Sequence, residues 1–208
     1  MPIILICVLM LMVWIRYHSS NSNNNALKSR NKFWERESEA NHTRNKPLDS
    51  IEFISVPLEQ LPFFETTVAE LQTLQKDLTD IAKEKIANLS QYTNTELKLA
   101  YGTGNFSYLA QCDTNYTILM QTILNLANYH LHNGNTDAAI QYFEYAVASH
   151  SQNAQTYVSL VMLYAEQNNI SKIENLKSQV EQSDYSNKKT LLHKIEQTYL
   201  DSVRSNKV

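Results

Sequence analysis

The side chains best suited to metal binding or nucleophilic chemistry here are two cysteines and six histidines, and their spacing serves neither. Cys7 lies in an apolar N-terminal run and Cys112 far beyond it, so no disulfide framework and no Cys/His metal set is expected. Cys112 reads as a small packing residue. His130 and His132 stand two apart on a predicted helix, and residues so spaced project in different directions. Gly102-x-Gly104 lacks the third glycine, the preceding strand and the Lys-Ser/Thr of a phosphate cradle, so it reads as a helix terminator. No nucleophile elbow, Walker loop or zinc-helix motif occurs. The expectation is a non-enzymatic protein with no catalytic residues, no metal and no cofactor. A small enzyme would need perturbed acids converging on one pocket, and the sequence offers no such convergence.

The elements that carry these residues are expected to be helices. Three glycines and four prolines in 208 residues are too few for the turns of a sheet protein. The net charge of −3 conceals an asymmetry: residues 16–46 hold seven Lys or Arg against three Glu, and the remainder is acidic. A basic face on the folded body, which nucleic acid would require, is therefore not expected, and no nucleic-acid partner is predicted.

Residues 2–15, PIILICVLMLMVWI, are apolar without a break until Arg16. About 16 residues of helix cover about 24 Å against about 30 Å of hydrocarbon, a gap that snorkelling by Arg16 and local thinning would close. No basic n-region and no small-residue cleavage site accompany the run, so residues 1–17 read as an uncleaved single-pass anchor. Arg16, Lys28, Arg30, Lys32 and Arg36 follow it, and the positive-inside rule places the C-terminal body in the cytoplasm of a cell-membrane protein.

Residues 18–50 read as a basic flexible linker and juxtamembrane segment, with 19–31, opening on SSNSNNN, as random coil. Phe33 and Trp34 are read as packing on the body, with a membrane-interface helix as the alternative. Residues 51–112 form a pre-repeat region. Within it, 51–62 is an extended segment laid along helices, and Thr67-x-x-Glu70 opens a helix predicted to run to about Leu89. Thr93-x-x-Glu96 caps a second, shorter helix.

Residues 113–208 carry self-similarity at a spacing of 34. Ile123 falls over Tyr157, Leu126 over Leu160, His130 over Tyr164, Gly134 over Asn168, Ala139 over Ile173 and Ala146 over Val180. The unit resembles the tetratricopeptide repeat, a helix–turn–helix motif. That resemblance implies an A helix at 116–132, a left-handed turn at Gly134 and a B helix at 136–149. It implies a second unit over 154–182, with Ser171 capping its B helix, and a solvating helix at 187–203. Its core would be Leu126, Gly134, Ala139, Phe143, Ala146, Tyr157, Leu160 and Tyr164. The second B helix departs from the pattern, with Ile173 at the small position and Lys177 at the large aromatic one. The layout as a whole is similar to that of uncharacterised bacterial single-pass membrane proteins with a helical-repeat tail.

In that family the A helices line a groove for extended peptides. The matching positions here are Gln121, Leu124, Asn128 and Leu131, then Gln155, Val158, Met162 and Ala165. None is a lysine, so capture of a terminal carboxylate is disfavoured and an apolar or amide-bearing peptide suits better. The resemblance thus implies a membrane-anchored scaffold or adaptor binding a protein or peptide partner. A self-associating structural membrane component is the alternative, and a small enzyme of unknown class the second alternative.

Overall fold

A computed structural model describes residues 2–205 of the chain. Among them the fold is all-α. Its helices are α1 (Pro2–His42), α2 (Ala69–Ile81), α3 (Asn94–Tyr101), α4 (Thr103–His132), α5 (Thr136–Ala148), α6 (Ala154–Glu166), α7 (Ile170–Gln182) and α8 (Lys188–Ser205), with one 3-10 turn at Leu58–Gln60. The chain divides into two compact units, Met1–Leu48 with Tyr92–Ser107, and Asp49–Gln91 with Tyr108–Val208.

In the first unit α1 is unbroken, so residues 19–31, expected as coil, are helical instead. The reason lies in what is missing. Neither glycine nor a second proline occurs between Ile3 and Lys46, and Ser and Asn each cost a helix only tenths of a kcal/mol. Phe33 and Trp34, expected to pack on the body, are exposed and meet each other edge to face at 5.5 Å. Among the described residues no helix is long and apolar enough to cross a membrane.

α3 docks on the C-terminal end of α1, where Ala40 is fully buried. Glu37 accepts from the Thr95 hydroxyl and pairs with Lys98 at 3.6 Å, while Arg36 meets Glu96 at 3.4 Å. Glu96 also closes the capping box with Thr93. The two glycines of Gly102-x-Gly104 admit the 43–46 segment. A Cβ on Gly102 (φ +92°) would stand 2.5 Å from the Arg44 carbonyl oxygen, and one on Gly104 would strike the Asn45 amide. Gly104 N–H donates to Asn45 Oδ1 at 2.8 Å, and Lys46 N–H to the Tyr101 carbonyl at 3.0 Å. The pair therefore ends α3 and lets another stretch of backbone in close.

The second unit buries one continuous apolar cluster. It joins Leu71, Leu78 and Ile81 of α2 to Leu119, Ile123 and Leu126 of α4, Phe143 of α5, Leu160 of α6, Leu176 of α7, and Leu191 and Ile195 of α8. Two helical hairpins within it have matching ends. α4 closes at His132 and α6 at Glu166, α5 opens at Thr136 and α7 at Ile170, and α5 and α7 close at Ala148 and Gln182; each pair is 34 apart. At the turns Gly134 and Asn168 hold φ +76° and +53°. Asn135 N–H donates to the His130 carbonyl and Asn169 N–H to that of Tyr164, both at 2.8 Å. The Asn135 and Asn169 side chains then cap α5 and α7 by accepting from Ala138 N–H and Lys172 N–H.

Several boundaries differ from the sequence reading. α2 starts at Ala69 with no side-chain cap, since Thr67 does not form the expected box, and it stops at Ile81. Residues 86–89 bond elsewhere: Ile86 bridges Ile54, Ala87 N–H reaches the Cys112 carbonyl, and Leu89 N–H reaches Asp113. These tertiary bonds replace the helical ones a longer α2 would make. α4 begins at Thr103, not near 116, because Leu109, Cys112, Tyr116 and Leu119 extend its buried stripe upstream. Asn169, and not Ser171, caps α7. The 51–62 segment buries Ile51, Val56 and Leu61, and a 3-10 turn at Leu58–Gln60 interrupts its extended run.

Candidate functional site

The groove positions lie one or two turns apart on their helices. Leu124, Asn128 and Leu131 follow one another on α4 at spacings of four and three, and Val158, Met162 and Ala165 do the same on α6. Leu124 and Leu131 are half-buried and pack on the core with their inner edges. Asn128 and Val158 are half-buried. Met162 stands 47% exposed, whereas Ala165 is buried. Gln121 and Gln155 are exposed and bond within their own helices, to Asn125 Oδ1 at 2.9 Å and to Ser159 Oγ at 3.2 Å. Of the α6 set, Val158 and Met162 thus retain exposed surface while Ala165 belongs to the core, and the α4 leucines border that core.

That core includes residues assigned to the repeat interior. Leu126, Ala139, Phe143 and Leu160 are fully buried, and Ala146, Tyr157 and Tyr164 nearly so. Gly134 is exposed, and a Cβ there would meet open space, so its role is purely conformational. Buried phenols tie the hairpins to the turns between them. Tyr116 donates to the Ser149 carbonyl at 3.0 Å and Tyr157 to the Ser151 carbonyl at 2.8 Å. Tyr164 donates to Glu144 Oε1 at 2.7 Å, and Lys172 meets the same oxygen at 2.6 Å.

Titration follows burial. Desolvation is the largest cause that raises the phenols of Tyr116, Tyr142, Tyr157 and Tyr164 and the thiol of Cys112, so each holds its proton near neutrality. Burial likewise lowers His130. His132 is exposed while His130 is buried, so the two imidazoles do not meet.

One cluster was not legible in the sequence. His130 lies between Phe64, at 5.0 Å between ring centroids, and Tyr142, stacked at 5.6 Å, with Tyr129 edge-on at 5.5 Å. Tyr142 also donates to the Pro62 carbonyl at 2.5 Å. The only sequence signal was the offset that sets His130 over Tyr164, which marks an interior position and gives no hint of Phe64.

Compared with known proteins, the chain matches no family model, no curated protein and no solved structure.

Proposed function

We propose that this chain is a non-enzymatic, membrane-tethered interaction scaffold. Two tetratricopeptide-like units, α4–α5 and α6–α7, would present Gln121, Leu124, Asn128, Leu131, Gln155, Val158 and Met162 to an extended protein segment. The observation that carries this reading is the matched pair of hairpins, with ends, left-handed turn residues and Asn caps repeating at 34 residues. Such a repeat buries one side of each A helix and leaves the other for a ligand. Asn128 supplies both a donor and an acceptor for a peptide backbone, and Leu124, Leu131 and Met162 supply apolar contact. Two units give few contacts, so affinity would be modest, about micromolar, and tethering would raise the effective concentration of a membrane-bound partner.

The tether in this reading is the apolar 2–15 run at the start of α1, with the body on the cytoplasmic side. α1 would continue beyond the bilayer as a helix and not as a loose coil. A self-associating component is the second reading, favoured by the exposed Leu27, Phe33 and Trp34 on α1. Crosslinking in native membranes, with Leu124→Glu/Asn128→Ala beside the parent chain, separates the two. Loss of heterologous crosslinks in a folded double variant supports the groove. Unchanged crosslinks, or crosslinks to the chain itself alone, refute it. A C-terminal tag digested by protease added to intact cells would overturn the orientation.

A further inference from the structure

His130 sits 3% exposed, and its Nε2 has no hydrogen-bond partner. The ring is enclosed by Tyr129 of α4, Tyr142 of α5, and Phe64 of the 51–68 strap that leads into α2. Those phenols are the titratable groups that face it. Gln75 of α2 holds the backbone of Phe64 through its Nε2 and Oε1, at 3.0 and 2.8 Å. We propose that His130 is an acid-sensitive latch: a second proton on its ring releases the strap around Pro62 and Phe64 from α4 and α5.

The neutral imidazole carries one donor, one acceptor and no charge, so it costs less to bury than the imidazolium. The imidazolium carries two donors and a charge, with no carboxylate bonded to it. The faces of Phe64 and Tyr142 attract a cation, but they do not replace the water it has lost. Burial accordingly holds the folded-state proton affinity down. Stability conferred by the closed strap is therefore complete above the ordinary histidine range, about 6.5, and falls as pH drops below it until the lowered folded-state value is passed. Over that window the open population rises by up to about tenfold per pH unit.

The strap gives way first because it is the weakest wall. Phe63 and Phe64 are each about two-fifths exposed and the Pro62–Phe64 stretch is held by three hydrogen bonds, whereas α4 and α5 bury Ile123, Leu126, Ala139 and Phe143 fully. Lifting Phe64 lets water reach the ring without opening the core.

The test is hydrogen exchange on the full-length chain in mild detergent, corrected for intrinsic exchange rates. Protection of the Phe64 amide should fall by up to about tenfold between pH 6.5 and 5.5, while that of Ile123 and Leu160 stays constant. His130→Phe should abolish the fall. Constant Phe64 protection in the parent chain, or the same fall in His130→Phe, overturns the proposal. Should that variant not fold, the ring-proton shifts of His130 decide: a midpoint below about 6.5 that tracks the exchange supports the latch, and one at or above it refutes it.

Discussion

Truncating Phe143 to alanine tests the interior of the first hairpin directly. The side chain is fully buried in α5, in a cluster that includes Leu126 of α4 and Leu160 of α6. Removing it forfeits the transfer energy of the ring and leaves a cavity that fixed helices cannot close, together about 3–5 kcal/mol. Thirty-four residues on, Lys177 of α7 is half-buried and reaches Glu196 at 3.8 Å, with side chains 41% and 62% exposed. A pair so open to water contributes at most about 1 kcal/mol, so Lys177→Ala should cost no more than that. Urea denaturation followed by helical circular dichroism reads the difference. With a slope of about 2 kcal/mol per molar, Phe143→Ala should lower the midpoint by about 1.5–2.5 M and Lys177→Ala by less than about 0.5 M, with slopes unchanged. Equal shifts would refute the argument that α5 carries a large side chain against its neighbours where α7 carries a solvated one.

Two further outcomes follow. Gly134→Ala should cost about 1–2 kcal/mol through its left-handed backbone alone, since the added Cβ meets nothing, and Gly134→Asn should recover part of that in thermal melts. The Glu37 carboxyl is held below the usual range first by the Thr95 hydroxyl and then by Lys98, and that of Glu96 chiefly by Thr93. A lowered folded-state value stabilises above the ordinary carboxylate range, about 4.3, and the contribution is lost as pH falls through it. Hydrogen exchange at the Lys46 and Thr103 amides should therefore accelerate, after correction, from about pH 4.5 downward, and constant rates would show the α1–α3 contact owes nothing to these carboxylates.

The sequence by itself determined that the chain is helical, because scarce glycine and proline leave long stretches without a breaker. It also marked the left-handed turn at Gly134, and Thr93-x-x-Glu96 forms its capping box as read. Such features depend on residues within one turn of each other, and local chemistry decides them. Where two local solutions compete, only the tertiary structure chose. Thr67 and Ser171 were plausible caps, yet Val68 and Asn169 precede the first helical residues, and α2 ends at Ile81 because Ile86 finds a partner in Ile54. Residues 19–31 show the converse: their polar composition reads as coil, but composition only weights helix against coil and forbids neither. The surroundings of His130 lay wholly beyond local reading. Phe64 comes from a strap distant in the chain, and nothing near residue 130 records which side chain will close over it, since burial is set by the packing of separate segments.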